Sequence, residues 1–271
     1  LALSPDGTKL LIAAPNVDLS LGHGGDHGSA ASKVYLVDAS NGDQNAVLDV
    51  DATVHNAVFL DDFSSVVLAM REHGMLAGYG AQELDEQWTL AVGKEPLEVT
   101  NVSGNRLVVA NSGDGTLTIV DAATHTATDT AMDVGEMPIA LWATPAGLFV
   151  SLEGDEKVAI LSSGNLADVT GTYDVGGVPG QVASAKSGGD VWIAVEDRGV
   201  LEVRDPSNGK VTQTVEVGGK PHGVIIDQSA GLVYVTDEDG GRVVRIDAAT
   251  YTVKDEIAVG KTPNGIVQNG S

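Results

Sequence analysis

The chain has no cysteine among its 271 residues. A disulfide scaffold, a thiolate metal site, a cysteine nucleophile and a c-type haem attachment are therefore excluded. Basic residues are also scarce, because 15 Lys and Arg stand against 38 Asp and Glu, and the net charge is -23. This charge repels a phosphate backbone, which excludes a general nucleic-acid-binding function.

Long apolar runs are lacking as well. No stretch approaches the roughly 18 unbroken apolar residues that a membrane-spanning helix needs, so no membrane span is expected. Aromatic residues make up only 4% of the chain, but hydrophobic residues make up 42%, which is enough to build a core. The acidity favours solubility and an extracellular, periplasmic or high-salt setting, and charge focused at one end would attract cations.

One short pattern recurs at regular intervals. An apolar run ends in Val-Gly, two variable residues follow, and then comes Pro. The five prolines are Pro96, Pro138, Pro179, Pro221 and Pro263. Their spacings are 42, 41, 42 and 42 residues, and a degenerate copy lies one step earlier at Val54. Such regularity indicates an internal repeat.

Each repeat contains four strand-like runs rich in Val and Ile and bounded by turn residues. The clearest copy comprises Val224–Ile226, Leu232–Thr236, Arg242–Ile246 and Val253–Val259. No segment shows a sustained apolar period of 3.6 residues, so helix should be nearly absent. Four short antiparallel strands in a repeat of ~40 residues predict the blade of an all-β propeller.

Several segments resemble the YVTN-type β-propeller repeat family, and the resemblance covers nearly the whole chain. The segments that carry it are Leu232–Asp237, Val243–Thr250, Ile257–Gly260 with Pro263, and Val108–Asn111 with Ile119–Thr124. The family includes cell-surface, surface-layer and periplasmic proteins, and the same fold serves lyases and dehydrogenases. The resemblance therefore implies a fold and a location, but not a function.

The repeats predict a single propeller domain over residues 1–271. Its repeats run over residues 1–53, 54–95, 96–137, 138–178, 179–220 and 221–262, with a closing strand at 263–271. The sequence contains seven candidates for the first strand of a blade, the last at Ile266–Gln268, but only six complete sets of strands two to four. We therefore expect a seven-bladed propeller with one blade incomplete at the N-terminus, whose other strands lie in about 30 preceding residues. The alternative is six blades with a spare C-terminal strand.

The antiparallel order of strands assigns every loop to one of two ends of its blade. We call the end with the strand 2–3 turn and the strand 4–1 connection the upper end, and the opposite one the lower end. Propellers usually bind ligands where loops meet at the channel mouth. In the first repeat Ile12 and Asp38 are 26 residues apart, but the matching Val235 and Asp247 are 12 apart, so 14 extra residues lie in an upper turn.

Histidines are concentrated at the upper ends. The insertion carries Leu21–Gly28, a Gly-rich segment with two His and an Asp, and only His125 of the six His falls at a lower end. The candidate metal ligands are His23, Asp26, His27, His55, His73 and His222. Imidazole and carboxylate without thiolate suit zinc or copper. Calcium fits less well, because Asp237–Gly240 lacks the twelve-residue frame of a calcium loop.

Carboxylates and lysines also fall at the upper ends. The upper turns carry Asp114, Glu153, Asp155, Glu156, Glu196, Asp197, Asp237, Glu238 and Asp239. Lys94, Lys220 and Lys261 recur beside the repeat proline. These carboxylates could line one mouth, although Asp is also simply a good turn former.

The predicted function is a secreted or periplasmic binding propeller that takes zinc, copper or a small ligand at the channel mouth. One alternative is a cell-surface or surface-layer propeller that binds a protein partner. Another is a lyase or hydrolase in which His55 or His222 acts as general base near Glu95, Glu98 or Lys220. No nucleophile-elbow motif is present. The sequence leaves open whether the chain is an enzyme.

Overall fold

The computed structural model describes residues 1–15, 31–144, 147–162, 164, 166, 168–185 and 189–268. These residues form six four-stranded antiparallel sheets. The chain divides into two compact units, the first spanning Leu1–Ile139 and the second beginning at Ala140. The only helical elements in the described ranges are single 3-10 turns at Arg71–His73 and Glu196–Arg198, and none could span a membrane.

The first unit contains three sheets, each formed by four consecutive strands. Their strands are β1 Ala2–Leu3, β2 Lys9–Pro15, β3 Ser32–Asp38 and β4 Gln44–Val50; β5 Val54–Phe59, β6 Ser65–Met70, β7 Met75–Gly80 and β8 Glu86–Ala91; β9 Pro96–Val102, β10 Arg106–Asn111, β11 Thr116–Asp121 and β12 Thr126–Asp133.

The second unit contains the other three sheets, and the first two residues of β13 precede its boundary. Their strands are β13 Pro138–Thr144, β14 Gly147–Leu152, β15 Lys157–Leu161 and β16 Val169–Asp174; β17 Pro179–Ser184, β18 Val191–Val195, β19 Val200–Arg204 and β20 Val211–Glu216; β21 Pro221–Asp227, β22 Leu232–Asp237, β23 Arg242–Asp247 and β24 Thr252–Ala258.

The middle strands form the core because neighbouring sheets cover both of their faces. All six residues of β6 are buried, and so are all five of β18. In the second unit, Val233 and Val235 of β22 pack in one cluster with Trp192 and Ala194 of β18. Burial on both faces explains why these strands are runs of Val, Ile, Leu and Ala instead of alternating apolar and polar residues.

The protein has the fold of an all-β propeller with six four-stranded blades. The six-bladed alternative is the observed one, and the expected seven blades are wrong. Ile266–Gln268, predicted as the first strand of a further blade, forms no β-ladder with any described residue. The segment before it contacts the sixth blade instead, because the Thr236 hydroxyl donates to the Asn264 carbonyl oxygen at 3.1 Å.

Aspartates at the lower ends act as turn formers. Asp205 Oδ1 accepts hydrogen bonds from the Ser207 backbone N–H at 2.8 Å and from its hydroxyl at 2.6 Å. At Asp247 the Thr250 backbone N–H and the Lys254 ammonium lower the pKa to about 2. Equivalent turns with a Ser or Thr occur at Asp6, Asp38, Asp62, Asp121 and Asp227. The lower ends are thus stabilised by local turn chemistry.

Candidate functional site

The structure distributes the predicted metal ligands over separate environments. His23, Asp26 and His27 lie outside the described residues. In the first unit, His55 is half-buried in β5 and His73 is exposed in a 3-10 turn. In the second unit, His222 is buried in β21. Across the described ranges, no three His, Asp or Glu side chains are arranged to hold one metal ion.

His222 forms the centre of a buried polar network with Glu196. Glu196 follows β18 directly, and its backbone N–H donates to the Val178 carbonyl oxygen at 2.8 Å. Glu196 Oε1 lies 2.5 Å from His222 Nδ1. Because the two residues are only 5% and 3% exposed, this is a buried imidazole–carboxylate pair.

The charges around His222 favour its protonated form. Burial alone lowers its pKa, but the hydrogen bond and charge of Glu196, with the charge of Glu238, outweigh burial and the opposing Lys220, so the pKa of His222 is raised. The lyase or hydrolase alternative, in which His222 would act as general base, stays a prediction.

Lys220 bridges two buried carboxylates. Its Nζ lies 3.2 Å from Glu196 Oε2 and 2.8 Å from Glu238 Oε2, while both Glu side chains are at most 5% exposed. Burial lowers the pKa of Lys220, but the hydrogen bond that its ammonium donates to Glu238 and the charges of both carboxylates outweigh burial, so the pKa is raised. Lys220 is therefore a structural cation and not an activated nucleophile.

Asn264 repeats the contact of His222 one blade later. Its Nδ2 donates to Glu238 Oε1 at 2.7 Å. Asn264 lies 42 residues after His222, and Glu238 lies 42 residues after Glu196. The same two repeat positions are therefore in contact twice, once through the imidazole of His222 and once through the amide of Asn264. Sequence reasoning missed Asn264, although comparing the two repeats position by position would have found it.

A glycine keeps space open for the pair. Gly180 occupies the His222 position one repeat earlier, and a Cβ there would lie 3.1 Å from Glu196 Oε1 and 3.0 Å from the His222 carbonyl oxygen. These distances are shorter than ordinary van der Waals contacts, so a side chain at position 180 would require the neighbouring groups to shift by a few tenths of an ångström. The pKa values of Lys220 and His222 are both raised, which favours positive charge beside the two buried carboxylates, as buried charges require.

Three other acidic residues of the upper ends bind backbone amides. Asp197 accepts from the Val178 N–H at 2.8 Å, Asp237 from the Lys220 N–H at 3.0 Å, and Asp114 from the Lys94 N–H at 3.0 Å. These carboxylates stabilise the connections into the first strands. For these three residues the turn-forming role is the observed one.

The first unit has a counterpart with reversed charges. Arg71 begins the first 3-10 turn, and its Nη2 lies 2.7 Å from Glu95 Oε2. Its backbone N–H donates to the Thr53 carbonyl oxygen at 3.1 Å, as that of Glu196 does to Val178. Glu95, like Lys220, directly precedes the repeat proline. Glu72 accepts hydrogen bonds from both the backbone and the hydroxyl of Thr53.

Comparison with known proteins supports the fold alone. No protein-family model and no curated protein matches the chain. A structure of Kuenenia stuttgartiensis hydrazine synthase matches with a TM-score of 0.78 at 15% identity, over 97% of this chain and 87% of that one. The structure of dihydro-heme d1 dehydrogenase NirN in complex with DHE matches with a TM-score of 0.69 at 12% identity, over 97% of this chain and 58% of that one. The chain thus spans less than two thirds of NirN, and membership of the YVTN repeat family is not established.

Proposed function

We propose that this propeller is a binding protein that takes a divalent transition metal, zinc or copper, at the upper ends of its blades. The observation that supports this most is the contact between His222 Nδ1 and Glu196 Oε1. Histidines that bind metals almost always donate their other ring N–H to a carboxylate, a backbone carbonyl or a water molecule, which orients the ring. The net charge of -23 adds a long-range attraction for cations.

The donors fall into two sets that need separate tests. The buried set comprises His222 with Glu196 and Glu238, which in their present arrangement do not complete a three-residue metal site. The second set comprises His23, Asp26 and His27 of the inserted segment, proposed from the sequence pattern. His55 and His73 remain further candidates from the same pattern.

The first experiment measures metal bound to the purified protein, followed by titration calorimetry with Zn²⁺ and Cu²⁺. We expect binding at micromolar metal and its loss in His222→Asn, in which an amide replaces the imidazole. Asn264 already forms the equivalent amide contact with Glu238, so this variant should fold. His125→Ala, at a lower end, is the matched control. A wild-type protein that binds no metal at micromolar concentration would refute the proposal.

The second donor set is tested by the triple variant His23→Ala, Asp26→Ala, His27→Ala. If these residues contribute donors, the triple variant binds Zn²⁺ more weakly than the wild type, while circular dichroism shows the same strand content. Unchanged affinity would exclude this set and leave the buried one.

A second candidate function is protein interaction through β24. This edge strand is exposed along all seven residues, and Val253 and Ile257 are 42% and 45% exposed. An exposed edge presents unpaired backbone groups to an added strand. We expect self-association in analytical ultracentrifugation that Ile257→Lys abolishes and that His222→Asn does not affect. A wild-type chain that stays monomeric at high concentration would count against self-association through this edge.

We also propose a periplasmic or cell-surface location. The acidic, cysteine-free composition and the resemblance to YVTN-type repeats support it. Fractionation of cells that express the complete gene tests it, and recovery only from the cytoplasm would contradict it.

A further inference from the structure

The fifth and sixth blades pack together through one face of each sheet. On the fifth blade, Leu201, Val203, Val215 and Val217 belong to the cluster that the sixth blade covers, and all four are at most 6% exposed. The residues that cover them are Val and Ile residues of β21, β22 and β23. A blade with a neighbour on this side therefore presents an uncharged, aliphatic surface to it.

The same repeat positions of the sixth blade are open. They lie 42 residues later, at Val243, Arg245, Ile257 and Val259. Val243 is only half-buried, the Arg245 side chain is 33% exposed, and Ile257 and Val259 are 45% and 54% exposed. Because β23 and β24 pair in the same register as β19 and β20, the difference lies in the covering and not in the sheet. We call these four residues, together with Asp255, the open face.

A pair of charges distinguishes the open face from the covered one. Arg245 stands where the fifth blade has Val203, and Asp255 stands where it has Gln213. Arg245 and Asp255 are opposite each other on β23 and β24, and the Arg245 Nε donates to Asp255 Oδ1 at 2.6 Å. Val203 is fully buried, so a neighbour that packed here as the sixth blade packs on the fifth would bury the guanidinium of Arg245.

Burial of this ion pair restricts what can cover the open face. Taking paired charges out of water is unfavourable unless further opposite charges or hydrogen bonds compensate for the lost water. A purely apolar sheet offers neither. A second copy of the same face offers both, because under two-fold symmetry each Arg245 can lie opposite Asp255 of the other copy. The guanidinium has five N–H donors, which is enough for two carboxylates.

We propose that the open face of the sixth blade binds the open face of a second copy of this chain, with Arg245 of each copy opposite Asp255 of the other. This inference rests on the second candidate function, protein interaction through β24. It names the partner and places the contact on the side chains of the sheet face instead of the backbone of its edge.

The size of the open face predicts a weak dimer. Strands of six and seven residues are about 20 Å long, and four strands are about 15 Å wide. Such a contact falls at the low end of specific interfaces. The dimer should therefore be reversible, with a dissociation constant on the order of tens of micromolar.

Sedimentation velocity tests the contact over a concentration series that extends about tenfold above that constant. The buffer contains EDTA, so that no metal ion can link two copies. Wild type should change from monomer to dimer along the series. Arg245→Asp and Asp255→Arg should each stay monomeric, because each variant places two like charges opposite the same two charges of the second copy.

The matched controls change the net charge by the same amounts at another ion pair. Lys157 and Asp174 form an exposed pair on the fourth blade, away from the open face. Lys157→Asp therefore matches Arg245→Asp, and Asp174→Arg matches Asp255→Arg. Both controls should dimerise as wild type does, and circular dichroism should show the same strand content in all four variants.

An equimolar mixture of Arg245→Asp and Asp255→Arg is the decisive sample. A face with two aspartates then meets a face with two arginines, so the mixture should form a heterodimer although neither variant self-associates. Two folded variants that form no heterodimer when mixed would overturn the inference.

The outcomes separate this inference from the functions proposed above. A wild type that dimerises, with Arg245→Asp dimerising equally well, would overturn the inference and leave pairing through the edge of β24 standing. A wild type that stays monomeric over the whole series would overturn the inference and leave the metal-binding proposal untouched, because the buffer contains a chelator. Loss of the dimer in both variants and its return in their mixture would support the inference.

Discussion

The two units use the same backbone position for opposite charges. Arg71 and Glu196 each begin a one-turn 3-10 helix that ends at a glycine with left-handed backbone, Gly74 and Gly199. In the first unit the cation is the more buried partner, since the side chain of Arg71 is 10% exposed and that of its partner is 48% exposed. In the second unit the anion Glu196 is the more buried partner.

This difference shows that the local backbone geometry does not determine the sign of the charge at this repeat position. The repeat provides a position where a side chain reaches the loop of the following blade, and either sign of charge fits there. In the second unit the contact extends into a larger network through His222, Glu238 and Asn264. An ion pair with one partner half exposed is stabilised by water as well as by its partner. A buried carboxylate has lost its water and needs several positive or polar partners instead.

The largest effect should follow removal of the buried anion. Glu196→Ala leaves His222 and Lys220 in a buried site that has lost a negative charge. We expect the free energy of unfolding to fall by about 3–5 kcal/mol, the usual cost of breaking a buried ion pair. Urea denaturation measures it, and a loss below about 1 kcal/mol would show that the network is not buried in solution.

The next effect should follow loss of the repeated contact at the sixth blade. Asn264→Ala removes a hydrogen bond to the charged Glu238, worth about 1.5–3 kcal/mol. Because this contact attaches the segment after β24, hydrogen exchange should increase first at residues 263–268. Uniform exchange over β21 and β22 with no increase in that segment would contradict the assignment.

A smaller effect should follow the matching change in the first unit. Glu95→Gln removes the charge of a carboxylate that is 48% exposed and partly screened by water. We expect a loss of about 1 kcal/mol or less, well below that of Glu196→Ala. Equal losses for the two variants, measured under the same urea conditions, would show that the two pairs are energetically alike.

The smallest expected effect is a pH dependence in the second unit. Glu196 and Glu238 together raise the pKa of His222 above the ordinary value of 6.5, despite burial and Lys220. The metal-free protein therefore has this contribution to stability in full below pH 6.5 and loses it as pH rises through the folded-state pKa. Urea midpoints across pH 5–9 should fall with pH in wild type relative to His222→Asn. Parallel curves for the two proteins would exclude this linkage.

Much of the fold could be predicted from sequence, because its signals are local. The regular prolines, the Val- and Ile-rich runs and the Asp turns predicted four-stranded blades, and the structure contains them. The number of blades was predicted wrongly, since counting first strands treated Ile266–Gln268 as paired. Whether a strand pairs depends on a partner in space, which an isolated run of residues does not reveal.

The site was predicted only in part. His222 was named from its repeat position, and Glu196, Glu238 and Lys220 were placed at the upper ends. Their assembly around one ammonium was not foreseen, because a turn residue gives no sign of whether its carboxylate binds a backbone amide, as Asp197 does, or faces the next blade.

The sequence by itself determined the repeat, the strands within it and the chemistry of the lower turns, since each depends on residues a few positions apart. Tertiary structure alone decided that Glu196 meets His222, 26 positions along the chain, and that Lys220 lies between two carboxylates. These contacts join neighbouring blades, so they depend on how sheets pack. The packing of the sheets also excludes water. A buried charge is then stable only where the fold places an opposite charge or a polar group beside it.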